Sequence, residues 1–313
     1  APLTADIDAL AWTVSGWVRT ASSPHTVGAD GAAAIAAART GTGQVATLIL
    51  PGDAAWGEGG VVAESAAPPY PAPIEAERIQ RAAALLHNGR RTALVLGETV
   101  MDEASQRMAS RIAAATGAQL IGARSGRRVV RGAGLPVVDR IPYPVDQAVA
   151  MLSGIEQMIL VGGHPPVAFF AYPGKPSLLA PPGCEMFELS DLHGDCLAAL
   201  AALADEVDAP DRLHAAHELA RPAFPSGPIS VEKVWAGLAA LLPEGAIISD
   251  ESVTSGRSAH QWMSTAPRHE WMHITGGSIG QGLPAATGAA AACPERRVFA
   301  MESDGSAMYT LQA

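Results

Sequence analysis

Near its end, the sequence combines a carboxylate, a glycine and a hydroxyl directly after a predicted strand. The apolar run over residues 297–301 predicts a short buried strand, and Asp304, Gly305 and Ser306 follow it. A carboxylate at such a place can bind a hard cation, and free backbone N–H groups before a helix can bind a phosphate. The pattern therefore predicts half of a site for a cation and a diphosphate, with a helix expected over residues 308–313.

A glycine-rich loop upstream is the second candidate for anion chemistry. Residues 276–282 precede an alanine-rich predicted helix, and Pro284 suits the first turn of that helix. The loop lacks the dinucleotide fingerprint G-x-G-x-x-G, and the chain has no Walker A motif. Taken alone, the glycines indicate a tight turn. Because one helix and one strand separate this loop from Asp304, both loops are expected at the carboxyl ends of neighbouring parallel strands, where open α/β sheets bind ligands.

The elements that must position these loops alternate along the chain. Periodicity predicts helices over residues 28–39, 74–86, 102–117, 147–152, 231–242 and after 284, and strands over 45–50, 92–97, 157–161, 186–189, 246–249 and 297–301. Strands that alternate with helices indicate parallel sheets. The predicted fold class is therefore α/β, with Rossmann-like parallel sheets that carry helices on both faces.

Two stretches divide this alternation into three consecutive segments. The first stretch is rich in Pro, Gly and Ala, and the second combines prolines with mixed charge. We expect linkers at residues 59–73 and 207–228. They would separate a first segment over 1–58, a central Rossmann-like domain over 74–206 and a third segment over 229–313. A chain cut from a longer enzyme, as both of its ends suggest, would make the first and third segments two incomplete domains.

Composition excludes several classes of partner. The 313 residues are 48% hydrophobic and 17% charged, which is typical of a globular protein with sizeable cores. A formal net charge of −10 and the absence of Lys/Arg-rich runs oppose binding to nucleic acid. Apolar runs are too short to cross a membrane. Cys184, Cys196 and Cys293 lack metal-type spacing, which fits a reducing compartment and predicts a cytoplasmic protein.

Both ends of the sequence suggest an internal piece of a longer enzyme. Residue 1 is Ala rather than Met, and no signal-peptide pattern precedes the first element. At the other end, no glycine, asparagine or charged residue caps the final predicted helix. The missing half of the predicted cation and diphosphate site is accordingly expected beyond residue 313.

Together, three motifs resemble the thiamine-diphosphate enzymes of the acetolactate synthase and benzoylformate decarboxylase group. The matching stretches are residues 251–255, 277–284 and 303–306, and they occur in the family's order. The resemblance covers the whole chain: the end of a pyrimidine-binding domain, the family's middle domain and the first half of its diphosphate-binding domain. It implies a decarboxylase or carboligase that acts on 2-keto acids.

The resemblance implies roles for eight residues. Asp304 would coordinate Mg²⁺, while Gly305 and Ser306 would bind the diphosphate of thiamine diphosphate, with Thr254 and Ser255 approaching from a second loop. The turn formed by Gly277, Ser278 and Ile279 would bind the folded cofactor. In that turn, the isoleucine is the apolar wedge, and the Gly277 carbonyl accepts a hydrogen bond from the cofactor's exocyclic amine.

The resemblance also implies what lies outside this chain. The glutamate that activates the cofactor is expected upstream of Ala1, so no catalytic residue is assigned here and the chain alone is expected to be inactive. FAD is not expected, since residues 140–144 and 162–176 look more like the flavin-free decarboxylase branch. The two ends of one cofactor bind different chains in this family, which implies a homodimer or homotetramer for the whole protein.

One departure from the family pattern keeps two alternatives open. The residue before the metal-binding aspartate is usually glycine, whereas Ser303 stands here and adds a Cβ in a tight turn. This favours, as one alternative, a noncatalytic member or remnant with a role in assembly. The other alternative is an unrelated nucleotide-binding Rossmann protein, which the absent glycine fingerprint disfavours.

Two further patterns have ordinary explanations. Residues 269–273 fit H-E-x-x-H, but zinc binding by this motif needs a helix. Pro267 and the glycines at 276 and 277 leave no room for one, so a strand is predicted. Asp250 and Glu251 could work as an acid and a base. Adjacent strand residues face opposite ways, so only one can face the site, and Glu251 is the candidate.

Overall fold

The computed structural model describes residues 4–312 except 42, 66, 68, 69, 72, 124, 125 and 127. The start of the first predicted segment, parts of the first predicted linker and residue 313 thus lie outside the described residues. The chain forms two compact units: Ala1–Pro73 with Leu192–Asp195, and Ile74–Asp191 with Cys196–Ala313. The division into three segments stays a prediction, and each unit is described by itself.

The first unit contains a two-stranded parallel sheet with helices. Its elements are α1 (Ile7–Trp12), β1 (Trp17–Thr20), α2 (Val27–Ala38), β2 (Ala46–Ile49) and α3 (Gly52–Trp56). Strand β1 pairs with β2 in the register Trp17 to Ala46. The helix predicted over 28–39 and the strand predicted over 45–50 are confirmed within one residue at each end.

The second unit holds two larger sheets. Its elements are α4 (Ala76–His87), β3 (Thr92–Leu96), α5 (Glu103–Thr116), β4 (Gln119–Gly122), β5 (Val129–Arg131), β6 (Asp139–Arg140), α6 (Val145–Leu152), β7 (Gln157–Val161), β8 (Glu185–Ser190), α7 (Cys196–Glu206), α8 (Val231–Leu241), β9 (Ala246–Glu251), α9 (Ala259–Met263), β10 (His269–His273), α10 (Gly282–Ala292), β11 (Val298–Glu302) and α11 (Asp304–Ala307). Five strands form one sheet in the order β6-β4-β3-β7-β8, and all neighbours are parallel.

Helices cover both faces of the five-stranded sheet. Along β3, Leu94 and Leu96 pack into the cluster that includes residues of α4, α5 and α7. Ala93 and Val95 point the other way, into a cluster with residues of α6. Successive strand residues face opposite sides, so both faces are apolar and the strand reads as a continuous hydrophobic run. The predicted α/β class with parallel sheets and helices on both faces is confirmed.

Gly97 lies where two backbone segments meet at the end of β3. A Cβ atom at this position would lie 2.5 Å from Gly163 Cα and closer still to the Gly162 carbonyl. Because both neighbours are backbone, neither can move away as a flexible side chain would. We expect Gly97→Ala to lower the free energy of unfolding by about 3 kcal/mol, the cost of forcing extra volume into a packed site. Chemical denaturation measures this.

A matched glycine provides the control for this prediction. Gly288 lies in α10 and is exposed, and apart from its own helix backbone no heavy atom lies within 4 Å of the place where its Cβ would be. Gly288→Ala should be neutral or stabilise the protein by about 0.5–1 kcal/mol, because alanine is the better helix former. Equal stabilities for the two variants would contradict the steric conflict expected at Gly97.

The second sheet positions the predicted site and contains one strand that breaks the parallel pattern. Its order is β11-β9-β10-β5, with β9 parallel to both β10 and β11. Strand β5 pairs with β10 antiparallel, in the register Val130 to Glu270. This strand belongs to the predicted central domain, yet it extends the sheet of the third predicted segment. Periodicity could not reveal it because β5 is only three residues long.

The predicted helix over residues 308–313 is wrong in position. The helix is α11, which ends at Ala307, and the described residues after it form turns. Thr310 Oγ1 donates a hydrogen bond of 2.6 Å to the Gly280 carbonyl oxygen, which ties this segment to the glycine-rich loop. Residue 313 lies outside the described part. Within the described residues, no helix has the length and apolarity that crossing a membrane requires.

Candidate functional site

Three loops gather at one edge of the second sheet. Strands β11, β9 and β10 run parallel and side by side, so the segments that follow them leave the sheet at the same edge. These segments are residues 252–258 after β9, residues 274–281 after β10, and Ser303 with α11 after β11. They carry all eight residues that the sequence predicted for the cofactor and metal site.

Glu251, the last residue of β9, holds the glycine-rich loop. Only 1% of it is exposed. Its Oε1 accepts a hydrogen bond from the Gly280 backbone N–H, and its Oε2 accepts one of 2.5 Å from the Gly282 N–H at the start of α10. A carboxylate forms strong hydrogen bonds with two backbone N–H groups, and its negative charge interacts favourably with the N-terminus of a helix. Glu251 therefore positions the loop, and this occupancy disfavours the acid–base role considered from the sequence.

The backbone of Glu251 holds the second predicted loop. Its carbonyl oxygen accepts hydrogen bonds from Ser303 N at 3.2 Å and from Ser303 Oγ at 3.0 Å. Ser303 Oγ also lies at a hydrogen-bond distance of 2.9 Å from Ser306 Oγ. The side chain of Glu251 thus fixes the glycine-rich loop, while its backbone fixes the segment that leads into Asp304. The two loops are joined through one residue.

Glycine is required at several positions of the loop over residues 276–282. Gly276, Gly277 and Gly280 have φ angles of 64°, 69° and 93°, a left-handed region that other residues rarely adopt. A Cβ at Gly282 would lie 2.8 Å from Glu251 Cβ, so only glycine lets the helix start this close to β9. The Gln281 side chain closes the loop, since its Oε1 accepts from Thr275 Oγ1 at 2.9 Å.

The tip of the loop and the residues opposite it are open to solvent. Ile279 is 43% exposed although its side chain is large and apolar. The predicted site residues that are exposed are Thr254, Ser255, Gly277, Ser278, Ile279, Asp304 and Gly305, whereas Ser306 is buried. The Ser255 carbonyl accepts a 2.7 Å hydrogen bond from Trp235 Nε1, which anchors the loop after β9. The exposed groups therefore lie on loops that hydrogen bonds anchor where they leave the sheet.

Sequence reasoning missed Glu302, which faces the same junction. It lies beside Glu251 in the β11–β9 register, and both of its carboxyl oxygens are enclosed with no hydrogen-bond partner among the described residues. Burial, and then the neighbouring Glu251 carboxylate, raise the pKa of Glu302 above its ordinary value of 4.5. The available signal was an acidic residue at the end of a predicted buried strand, where an apolar one is usual.

Comparison with known proteins relates the chain to one enzyme family. Residues 253–313 match the family described as "Thiamine pyrophosphate enzyme, C-terminal TPP binding domain". IlvX of Mycobacterium tuberculosis, whose name describes it as a candidate acetolactate synthase large subunit, is 45% identical over 316 aligned positions that cover 99% of this chain. Residues 253–313 are thus similar to the cofactor-binding domain of thiamine-diphosphate-dependent enzymes, and almost the whole chain is similar to IlvX. The chain spans 59% of the length of IlvX.

Two decarboxylases are also similar to this chain, one in sequence and one in fold. A benzoylformate decarboxylase of Pseudomonas aeruginosa is 29% identical over 57% of this chain and 38% of that protein. The solved structure of a thiamine diphosphate-dependent 4-hydroxybenzoylformate decarboxylase from Rhodococcus jostii RHA1 superposes with a TM-score of 0.75 at 22% identity. That superposition covers 97% of this chain and 61% of the Rhodococcus chain. At this identity, it establishes the fold alone.

The exposed groups at the edge fit the diphosphate end of the family's cofactor. Asp304 offers an exposed carboxylate, an oxygen ligand of the kind that Mg²⁺ prefers. Gly305 is also exposed, and no heavy atom lies within 4 Å of the place where its Cβ would be, so a phosphate can approach its backbone. The described residues contain no cluster of three or more His, Cys, Asp or Glu that could hold a metal by itself. A metal here would need oxygen ligands from the cofactor.

The H-E-x-x-H sequence forms a strand, as predicted. His269, Glu270 and His273 lie in β10, where the two histidines are buried on one face and the glutamate points to the other. Glu270 forms ion pairs of 2.9 Å with Arg296 Nη1 and 2.5 Å with Arg128 Nε. Its carboxylate therefore belongs to a structural ion-pair network.

This network gives a pH-dependent prediction. Burial raises the pKa of Glu270, but the hydrogen bonds from Arg296 and Arg128 outweigh it and lower the pKa below 4.5. A lowered folded-state pKa stabilises the protein above the unfolded pKa, and this contribution is lost as the pH falls through the folded value. Glu270→Gln should lower the free energy of unfolding at pH 7 by about 1 kcal/mol, a modest cost because these partly exposed pairs are screened.

Urea denaturation at several pH values measures this effect. The difference between Glu270→Gln and the original protein should shrink as the pH falls below 4.5, because the original carboxylate is then protonated as well. Glu295→Gln, at an exposed position, serves as the control and should change little at any pH. A difference for Glu270→Gln that stays constant across the whole pH range would contradict the assignment.

Proposed function

We propose that this chain supplies the diphosphate half of the site of a thiamine-diphosphate-dependent 2-keto acid decarboxylase or carboligase, similar to acetolactate synthase. The activity is that of the whole protein, and the chain by itself is inactive. The names of its relatives support this reaction class: IlvX is described as acetolactate synthase-like, and a Pseudomonas relative is a benzoylformate decarboxylase.

The observation that carries the proposal is that Glu251 binds two loops, one through its side chain and one through its backbone. Its side chain binds the glycine-rich loop and its backbone binds the segment before Asp304. The groups proposed for the metal and for the folded cofactor are therefore presented from one rigid junction. A protein that used this edge only for assembly would have no need of exposed glycine backbone beside an exposed carboxylate.

In this proposal, the residues have separate tasks. Asp304 binds Mg²⁺, Gly305 and Ser306 bind the diphosphate, and Thr254 and Ser255 approach the same group from the loop after β9. Thiamine diphosphate supplies the carbanion chemistry that the side chains of this chain lack.

The turn over residues 277–279 is proposed to shape the bound cofactor. Ile279 is the apolar wedge that supports the folded cofactor. Because 43% of Ile279 is exposed, its side chain is available to contact the cofactor. Gly277 offers its carbonyl oxygen, and Ser278 lies between them in the turn. Because the loop is fixed at both ends by Glu251 and Gln281, the wedge is held in place before the cofactor arrives.

The backbone at Ser303 is compatible with a cofactor site. This residue has φ −92° and ψ 146°, an extended conformation that any amino acid adopts without strain. Its hydroxyl strengthens the junction through the Glu251 carbonyl oxygen. We therefore favour the cofactor-binding member over the noncatalytic alternative.

Several finer points belong to the same proposal. The whole protein is proposed to be a homodimer or homotetramer in the cytoplasm, to act on a 2-keto acid and to bind no FAD and no nucleic acid. The three free cysteines are consistent with a reducing compartment. The three-segment division over residues 1–58, 74–206 and 229–313 is proposed on the family resemblance.

Calorimetry of the whole protein with thiamine diphosphate tests the proposal. In the presence of Mg²⁺, we expect saturable binding, followed by release of CO₂ from pyruvate or benzoylformate. Adding EDTA should abolish the binding. Binding without turnover of any 2-keto acid would favour the noncatalytic alternative, and absence of binding would overturn the proposal.

A further inference from the structure

A small cavity, partly open to solvent, is lined by none of the residues proposed for the cofactor. It has a volume of about 30 Å³ and lies between the turn that follows β5, the strand β6 and the helix α9. Its polar lining includes Arg131, Arg140, His217, His260 and Ser264. A space of this size holds one or two waters or a single small ion. Nothing in the proposed reaction uses it.

The guanidinium of Arg131 has an unsatisfied donor in this region. Arg131 is half-buried as a residue, yet its Nη1 is enclosed and has no hydrogen-bond partner among the described residues. Nη2 lies 3.2 Å from His273 Nε2, and the guanidinium carbon lies 4.9 Å from the centre of the Trp271 ring. Neither partner carries a full negative charge. The Asp250 carboxylate attracts the guanidinium and raises the pKa of Arg131, but it accepts no hydrogen bond from the enclosed Nη1. An enclosed donor that lacks a hydrogen bond is costly.

The carboxylates near Arg131 are engaged elsewhere. Asp250 accepts a hydrogen bond of 3.0 Å from Ser252 N and one of 3.2 Å from Trp271 Nε1. Asp139 is the only acidic residue in the described lining; it is exposed and accepts a 2.8 Å hydrogen bond from Gln119 Nε2. Neither of these two carboxylates therefore accepts a hydrogen bond from the enclosed Nη1 of Arg131.

The charged groups in the cavity lining also shift one another's pKa values. Burial, and then the charge of Arg140, lower the pKa of Arg131 to about 9, so it stays protonated at neutral pH. Burial, and then Arg131, Arg140 and His217, lower the pKa of His260 to about 3, so it is neutral. The Nδ1 atom of His260 is enclosed without a partner among the described residues, and it can donate when the neutral ring carries its proton there.

We propose that this cavity is an anion site that binds one small monovalent anion of the size of chloride, with Arg131 Nη1 and His260 Nδ1 as donors and Arg140 as the second positive charge. The bound anion would link the β5–β6 region to α9. It would satisfy two enclosed polar atoms at once, and it would offset the repulsion between the two arginines.

Thermal unfolding of the chain in sodium chloride and in sodium gluconate, at equal ionic strength, tests the site. A chloride-sized site should give a saturable rise of a few degrees in Tm with chloride and none with the bulky gluconate. Equal Tm curves in the two salts would mean that water fills the cavity and would overturn the proposal. A crystal grown with bromide should show an anomalous peak beside Arg131, and an absence of such a peak would also overturn it.

Variants locate the effect. Arg140 is only half-buried, so Arg140→Gln should fold and should weaken the apparent chloride affinity by about tenfold. Arg140→Lys should retain most of the affinity, and Arg212→Gln, at an exposed position outside the lining, should behave as the original protein does. If Arg140→Gln kept the full chloride dependence, the anion would bind elsewhere and the proposal would fail.

Discussion

Replacing Glu251 with alanine should lower the free energy of unfolding by about 3 kcal/mol or more, and should abolish measurable binding of thiamine diphosphate by the whole protein. The change removes the acceptor of two backbone N–H groups, those of Gly280 and Gly282, in an almost fully buried site. Each unsatisfied buried donor costs about 1–3 kcal/mol. The glycine-rich loop also loses the contacts that fix the end leading into α10.

Graded variants separate a positioning role from a general loss of stability. Glu251→Gln keeps the size of the side chain but replaces one acceptor with an NH₂ group that faces an N–H donor. It should therefore remain folded while binding the cofactor at least tenfold more weakly. Hydrogen exchange should show faster exchange at the Gly280 and Gly282 amides, with the β9 amides still protected.

The control for Glu251 is Glu295→Ala, at an exposed position after α10, which should change neither property. If Glu251→Gln bound thiamine diphosphate with the original affinity and showed unchanged exchange at the two glycine amides, the positioning role would be refuted. Weak cofactor binding with unchanged exchange would point instead to direct contact between Glu251 and the ligand.

Replacing Asp304 with asparagine should weaken Mg²⁺-dependent binding of thiamine diphosphate by about 100-fold or more. In the proposed function, this carboxylate is the one charged metal ligand that the chain supplies, and a neutral amide oxygen binds a hard cation less strongly. Asp304 is exposed, so the free energy of unfolding should change by less than about 0.5 kcal/mol. Calorimetry measures the affinity, and urea denaturation measures the stability.

Metal dependence makes this prediction specific. With EDTA present, the original protein and Asp304→Asn should bind the cofactor equally poorly, because neither can use the metal. Asp205→Asn, at an exposed position in α7, changes the net charge by the same amount and should leave the affinity unaltered. Equal Mg²⁺-dependent affinities for Asp304→Asn and the original protein would remove Asp304 from the metal site.

Local sequence patterns predicted the long helices and strands better than the short ones. The helix over Glu103–Thr116 was readable because Asp102 accepts a hydrogen bond from Ser105 N at 3.0 Å and Gly117 ends the helix with φ 73°. Strands β3 and β7 were readable because they are buried on both faces and therefore continuously apolar. Short strands such as β5 and β6 carry too few residues for any periodicity.

The contacts within the candidate site were harder to predict from the sequence than the residues that form it. The motifs over residues 251–255, 277–284 and 303–306 indicated which residues matter. They did not show that Glu251 binds both loops, since hydrogen bonds between residues 29, 31 and 52 positions apart leave no periodic trace. Glu302 was missed for the same reason: its importance comes from the β11–β9 register, which places it beside Glu251.

The sequence by itself determined the α/β class, most of the longer helices and strands, and the family resemblance, because these depend on local periodicity, caps and contiguous motifs. Only the tertiary structure decided that β5 joins the sheet of the third predicted segment, that one buried glutamate holds two loops, and that Arg131 and His260 share a cavity. These facts depend on strand register and on contacts between distant residues, which local chemistry does not specify.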